Sequence, residues 1–317
     1  MKNLSRRRLL KLGAASLAAS AMPHVMSASE QVPNDGFLEP APCPPFDFKY
    51  TPLGKVKPVA SKEIEASPLG VGFETLDRMM FEPERAYEQV GQLGVKWARC
   101  QTGWARSEKE PGQYDFAWLD GVANSLLGQG VTPWFNISYG NRLYTPDAPD
   151  WSAVGWAPIF ADEPKAAWLR YTRAVAERFA DRITHWEIWN EPNIRVFWQP
   201  NQPSAKDYTE LVKITAAEIR RHVPNAVIIG GALAGMPTAY LHDCLELGLA
   251  DLVDKISYHP YRPVPEKGYE ETVSEWREMV AARNPKVSLW QGENGAPSVG
   301  GPRSAGALSQ LPWSDTY

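Results

Sequence analysis

From residue 68 onward the hydrophobic positions repeat: a short apolar or β-branched run, a polar loop, then a longer segment with apolar residues at helical spacing. The short runs predict strands at 69–74 (LGVGFE), 95–100 (VKWARC), 131–137 (VTPWFNI), 183–190 (ITHWEIWN), 226–231 (AVIIGG), 254–259 (DKISYH) and 287–293 (VSLWQGE). The longer segments predict helices at 83–93, 116–129, 164–181, 204–223, 237–248 and 270–283, with start signals such as Glu82-Pro83 and Ser204 ahead of Asp207. Strand and helix alternate throughout. Such alternation implies an α/β fold with a parallel sheet and right-handed crossovers.

An open doubly wound sheet and a closed (β/α)8 TIM barrel both satisfy that alternation. The open sheet of nucleotide binders carries G-x-G-x-x-G after its first strand, and Gly70-Val71-Gly72-Phe73-Glu74-Thr75 departs from it. The spacing of the strands suits a barrel with some long loops. Beyond Glu293, however, come Pro297, Gly300, Gly301, Pro302, Gly306 and Pro312, which read as a loop without an eighth strand. The expectation is therefore a TIM barrel at 67–317, truncated after strand seven, whose product is unstable or weakly active.

Residues 1–29 change the picture of where the protein works. Ser5-Arg6-Arg7-Arg8-Leu9-Leu10-Lys11, an Ala-rich apolar stretch and small residues at 19–21 and 27–29 resemble a twin-arginine export signal. A periplasmic or secreted destination follows. The apolar run Leu12 to Ala21 is too short to span about 30 Å of hydrocarbon, so no integral membrane segment is expected after signal removal. Net charge is -4 although Lys2, Arg6, Arg7, Arg8 and Lys11 all lie in the signal, so the remainder is acidic and nucleic acid is disfavoured as a partner. Residues 30–66 are rich in proline, which excludes regular helix or central strand, and predict a linker or a strap able to fill the barrel's gap. Cys43, Cys100 and Cys244 are far apart and form no C-x-x-C pair, which excludes a disulfide scaffold and a four-thiolate zinc site; Cys43 is expected as an unpaired thiol or in contact with the body of the protein.

Barrel active sites lie at the C-terminal ends of the strands, and the polar residues there are few: Arg99, Asn136, Asn190-Glu191, His259 with Tyr261, and Glu293-Asn294. Glycoside hydrolysis needs two carboxyl groups flanking one bond, a proton donor with a raised pKa and a second group that attacks or activates water. Glu191 and Glu293 cap strands three βα steps apart, which face each other over a barrel mouth. Glu187 has the same parity as Glu191 but lies deeper, and reads as a structural carboxylate satisfied by Arg99 or His185. Among the thirteen tryptophans, Trp104, Trp134 and Trp198 read as loop residues near strand ends and as candidates to stack on sugar rings. H-E-x-x-H and G-x-S-x-G are absent from the sequence, and a carboxylate pair requires neither metal nor cofactor.

The segment Trp186-Glu187-Ile188-Trp189-Asn190-Glu191-Pro192-Asn193 resembles the strand-four signature of glycoside hydrolase clan A, the retaining (β/α)8-barrel glycosidases. Trp290-Gln291-Gly292-Glu293-Asn294-Gly295 is similar to the clan's nucleophile segment, and Arg99, Trp104, Gly112-Gln113-Tyr114-Asp115-Phe116 and Leu119-Asp120 resemble the strand-two region of family 39 and its neighbours. The resemblance runs over roughly residues 68 to 298 and points to family 39-like and family 5-like members. It implies Glu191 as general acid/base, Glu293 as nucleophile, Asn190 as a ligand of the sugar 2-hydroxyl, His259 and Tyr261 beside the nucleophile, and Arg99 as a buried support. The expected function is an exported retaining glycoside hydrolase with a carbohydrate substrate; a non-catalytic carbohydrate-binding barrel is the alternative. Specificity for sugar and linkage, exo or endo action and oligomeric state reside in loops and surfaces rather than in these motifs.

Overall fold

All seven expected strands form in the computed structural model, which describes residues 57–262 and 267–295. The strands are β1 (Gly70–Gly72), β2 (Trp97–Gln101), β5 (Thr132–Ile137), β6 (His185–Ile188), β7 (Val227–Ala234), β8 (Lys255–His259) and β9 (Ser288–Gln291), while β3 (Glu108–Glu110) and β4 (Gln113–Tyr114) make a separate hairpin. The main sheet runs in the order β1-β2-β5-β6-β7-β8-β9 with every neighbour parallel. The connecting helices are α1 (Tyr87–Gly91), α2 (Trp104–Ser107), α3 (Ala117–Gly128), α4 (Asp162–Phe179), α5 (Ala205–His222), α6 (Thr238–Glu246), α7 (Leu249–Leu252) and α8 (Tyr269–Arg283).

Helix α5 illustrates how sequence sets these elements. Ser204 Oγ accepts the Asp207 N–H at 3.2 Å as an N-cap, Asp207 sits in the first turn, and Arg220, Arg221 and His222 complement the dipole in the last. Its buried residues Tyr208, Leu211, Val212, Thr215 and Ile219 recur at helical spacing and form the face turned to the sheet. The strands alternate in the same sense. On β5, Phe135 points outward to Phe179 of α4 at 5.0 Å, whereas Trp134 and Asn136 point inward.

The sheet is rolled rather than flat. β2 and β9 are five strands apart, which would separate them by about 24 Å in a flat sheet, yet the rings of Trp97 and Trp290 are 5.3 Å apart. Trp97, Trp134, His185 and Trp290 form a floor of rings inside the roll, with Lys255 Nζ 4.8 Å from the Trp290 ring centre. Above them lies a polar layer of Arg99, Asn136, Glu187 and Ser257, and above that the strand ends. These are the stacked interior layers of a (β/α)8 barrel, with seven of its strands present among the described residues. No strand among those residues pairs with the outer edges of β1 and β9.

Three features depart from the sequence pattern. The helix expected at 83–93 starts as a 3-10 turn at Pro83–Arg85 and only then becomes α1. The β3–β4 hairpin and the short helices α2 and α7 are too brief to leave a periodic signal. Strand β7 runs past residue 231 to Ala234 through a register shift between Gly230 and Leu233, where Gly231 has φ +89° and Ala232 φ +46°. That bulge presents the Ala232 carbonyl to the N–H of Glu191 at 2.8 Å. Within the expected strap, Ser61–Glu63 forms a turn, and the carbonyl of buried Ser61 accepts from Lys96 Nζ at 3.0 Å. The export signal at 1–29, Cys43 and residues 296–317 lie outside the described residues. No helix among the described residues is long and apolar enough to cross a membrane.

Candidate active site

The strand ends converge on Arg99, which is fully buried on β2. Its Nε donates to Glu187 Oε2 at 2.5 Å, its Nη1 to Glu293 Oε1 at 2.5 Å and Glu74 Oε1 at 3.0 Å, and its Nη2 to Asn190 Oδ1 at 2.9 Å. One guanidinium thus faces three carboxyl groups, more negative charge than it can neutralise. Burial and the neighbouring Glu293 and Glu187 push Glu74 up to about 7, against the opposing pull of Arg99. Glu187 is held as expected by Arg99, with Asn136 Nδ2 adding a bond at 3.0 Å; His185 stays in the ring floor.

Glu191 ends the chain segment after β6 in a constrained backbone, with φ +67° at Trp189 and φ +47° at Glu191 itself. Such left-handed positions cost on the order of 1–3 kcal/mol each for residues other than glycine, and aim the carboxyl group into the mouth. Its Oε1 is 2.9 Å from His259 Nδ1, and the same Nδ1 lies 3.6 Å from Glu293 Oε2. One oxygen of Glu191 and one of Glu293 lie within 4.8 Å of each other. Burial pushes the Glu191 carboxyl up to about 8, the Glu293 charge adds to this, and Arg99 opposes it. Burial, with Arg99 nearby, holds His259 well below its usual range. With the carboxyl pushed up and the imidazole pushed down, a protonated Glu191 can donate its O–H to the Nδ1 lone pair of a neutral His259. Tyr261, 38% exposed, donates its hydroxyl to Glu293 Oε2 at 3.1 Å.

Glu191, Glu293, Asn190, His259, Tyr261 and Arg99 are thus brought together, but not all can touch a ligand. Arg99 and His259 are fully buried and contact the glutamates instead. Asn136 is corrected from a sugar ligand to a support: it is fully buried, and its Nδ2 is used by Glu187 Oε2 and by the Trp189 carbonyl at 2.6 Å. Trp104 and Trp198 are likewise corrected from stacking platforms to core. Trp104 is fully buried between Tyr144, Trp168 and Tyr171, with its N–H on Glu108, and Trp198 is fully buried against Trp189, Phe160 and Tyr208. Trp134 belongs to β5 rather than to a loop, two residues below Asn136, and packs on Trp290 at 5.3 Å. It lines a cavity of about 790 Å³ between β1 and β9, together with Gly70, Glu74, Trp97, Tyr261 and Glu293.

Glu74 was not among the expected residues. It ends the predicted strand 69–74, so the strand-end rule that finds Glu191 and Glu293 applies to it equally. The atoms of Glu191, His259 and Glu293 are close enough to be weighed as a cation site. We assign them none, because Glu191 Oε1 and His259 Nδ1 already pair with each other and Glu293 is held by Arg99 and Tyr261.

Comparison with known proteins bears on the family and the fold. A beta-xylosidase of Geobacillus stearothermophilus is 26% identical over 160 residues, covering 47% of this chain and 31% of that protein. The structure of a family 39 beta-xylosidase from Caulobacter crescentus superposes with a TM-score of 0.59 at 21% identity, over 78% of this chain and 57% of the other. A family 39 glycoside hydrolase from Bacteroides cellulosilyticus gives a TM-score of 0.56 at 19% identity, over 71% and 48%. The chain therefore spans about a third of that curated relative and about half of those structures. The model of the glycosyl hydrolases family 39 matches residues 78–288, and the chain belongs to that family.

Proposed function

We propose that this protein is an exported retaining glycosidase that cleaves O-glycosidic bonds by double displacement, acting on β-xylosides or related sugars. The observation that carries this reading is the pairing of Glu191, pushed up to about 8, with Glu293, whose nearest oxygen is within 4.8 Å and which is held by Arg99 and Tyr261. Retaining enzymes keep their carboxyl groups about 5–5.5 Å apart, whereas inverting enzymes need roughly 6.5–9.5 Å to admit a water. Glu191 then protonates the leaving oxygen while Glu293 attacks the anomeric carbon; Glu191, now ionised, next deprotonates the water that releases the sugar. Asn190, 3% exposed beside both, is the candidate ligand of the 2-hydroxyl. The sugar preference follows the beta-xylosidase relatives, and export follows the twin-arginine pattern.

The experiment is a panel of aryl glycosides of different leaving-group ability given to the purified protein and to two variants. Glu191→Gln should keep most activity on activated leaving groups and lose it on poor ones. Glu293→Ala should be inactive on all, and azide should restore turnover with inverted glycosyl azide. Uniform loss across leaving groups in Glu191→Gln would contradict the assignment, and no turnover of any glycoside by the parent protein would favour the carbohydrate-binding alternative.

A further inference from the structure

Three polar atoms in the barrel interior are buried without a partner and face one another: Glu187 Oε1, Ser257 Oγ and His259 Nε2. They come from β6 and β8, and Gly292, just past β9, lies against all of them. A Cβ at residue 292 would stand 2.3 Å from Ser257 Oγ, 3.1 Å from His259 Nε2 and 3.3 Å from Glu187 Oε1. Glycine is therefore what leaves the space between these atoms free. A buried polar group without a partner is costly, and buried waters typically make two to four hydrogen bonds to such groups.

We propose that Glu187, Ser257 and His259 hold one buried water molecule against Gly292, and that this water fixes the imidazole tautomer with which His259 meets Glu191. The donor inventory matches one water. Glu187 Oε1 is the carboxyl oxygen left to accept in the site, since Oε2 already takes Arg99 and Asn136. With Glu191 donating to Nδ1, the ring proton resides on Nε2 and points into the site. Water accepts from Nε2–H and donates to Glu187 Oε1 and Ser257 Oγ. A cation in the same place would meet Nε2–H and the Arg99 charge beside Glu187, and is disfavoured. The groups that bear on Glu191 are His259, Glu293, Arg99, Glu74 and Tyr261, and of these only His259 connects it directly to the water.

Loss of the water leaves Nε2–H buried and unpaired. The imidazole then shifts to its Nδ1–H form, which donates to Glu191 and favours the ionised carboxylate. This catalytic consequence rests on Glu191 being the proton donor; the water itself does not. Ser257 is thus a positioning residue.

The test combines diffraction to atomic resolution with pH profiles. The parent protein should show a density peak about 2.7–3.2 Å from the three atoms, and Ser257→Ala should weaken or abolish it. For a substrate with a poor leaving group, the basic limb of kcat/KM should move down by about one pH unit in both Ser257→Ala and Gly292→Ala. These two changes lie on different segments; a Cβ at residue 292 would press on Ser257 Oγ itself, whereas Ser257→Ala removes a single oxygen and adds nothing, so it carries the test if Gly292→Ala fails to fold. A parent site without a peak, or an unmoved limb in Ser257→Ala, overturns the proposal. If the parent protein turns over no glycoside, the proton-donor reading fails separately, and nitrogen chemical shifts of His259 decide: Nε2–H in the parent and Nδ1–H in Ser257→Ala support the water, and an unchanged tautomer overturns it.

Discussion

Replacing Glu191 with glutamine should stabilise the protein, and by an amount that grows with pH. In the folded chain the carboxyl titrates at about 8, against 4.5 for an unperturbed glutamate. Because the folded value lies above the unfolded one, the protonated group supports the fold fully below about pH 4.5, and that support is lost as pH rises to 8. At pH 7 the unfolded state has gained about 2.5 pH units of ionisation free energy that the folded state forgoes, or about 3 kcal/mol at 1.36 kcal/mol per unit. Glutamine has no such dependence, and its amide N–H can still donate to His259 Nδ1. Urea denaturation of both proteins between pH 4.5 and 8 measures the difference, which should be near zero at pH 4.5 and about 3 kcal/mol at pH 7. For a domain of this size that is on the order of 6–12 °C in Tm. Glu74, held up to about 7, titrates in both proteins, so the difference isolates Glu191 to first order. Parallel stability curves across that range would refute the raised pKa and, with it, the reason to regard Glu191 as a proton donor.

Arg99→Met should cost about 3–5 kcal/mol in urea denaturation near neutral pH, because it strands Glu187 and Glu293 without their cation; a variant of parental stability would contradict the network. Tyr261→Phe removes a hydroxyl bonded to Glu293 from a partly exposed side chain. It should lower kcat/KM about tenfold or more with Tm nearly unchanged, whereas a large fall in Tm would show a structural role instead. Trp104→Phe should destabilise the fold by on the order of 2 kcal/mol through lost packing, and KM for small glycosides should not change; an altered KM would return Trp104 to the substrate.

The strands were readable because each lies in a short apolar or β-branched run bounded by loops, and the two principal glutamates because they end such runs before Pro192 and Gly295. Glu187 was readable from its parity. The tryptophans were not, because a ring near a strand end has the same local sequence whether the chain beyond it turns toward the mouth or back into the helical layer. Trp104 is buried because α2 folds it onto α4, and Trp198 because Tyr208 of α5 packs beside it. Asn136 looked available for the same reason: its partner Trp189 is more than fifty residues away in sequence, beyond any local pattern. The bulge in β7 was equally invisible, since the strained residue is Ala232 and not one of the glycines before it.

The floor of indole rings between β1 and β9 makes the protein its own optical gauge. Trp97, Trp134 and Trp290 line the cavity on that flank, and Trp290 stands 5.3 Å from each of the other two. Acrylamide should reach these rings sideways and quench their part of the intrinsic emission. Any polypeptide or small apolar molecule that comes to cover the flank should blue-shift that component and slow its quenching. The state of the barrel wall can therefore be followed by fluorescence in real time, without a sugar in the cuvette.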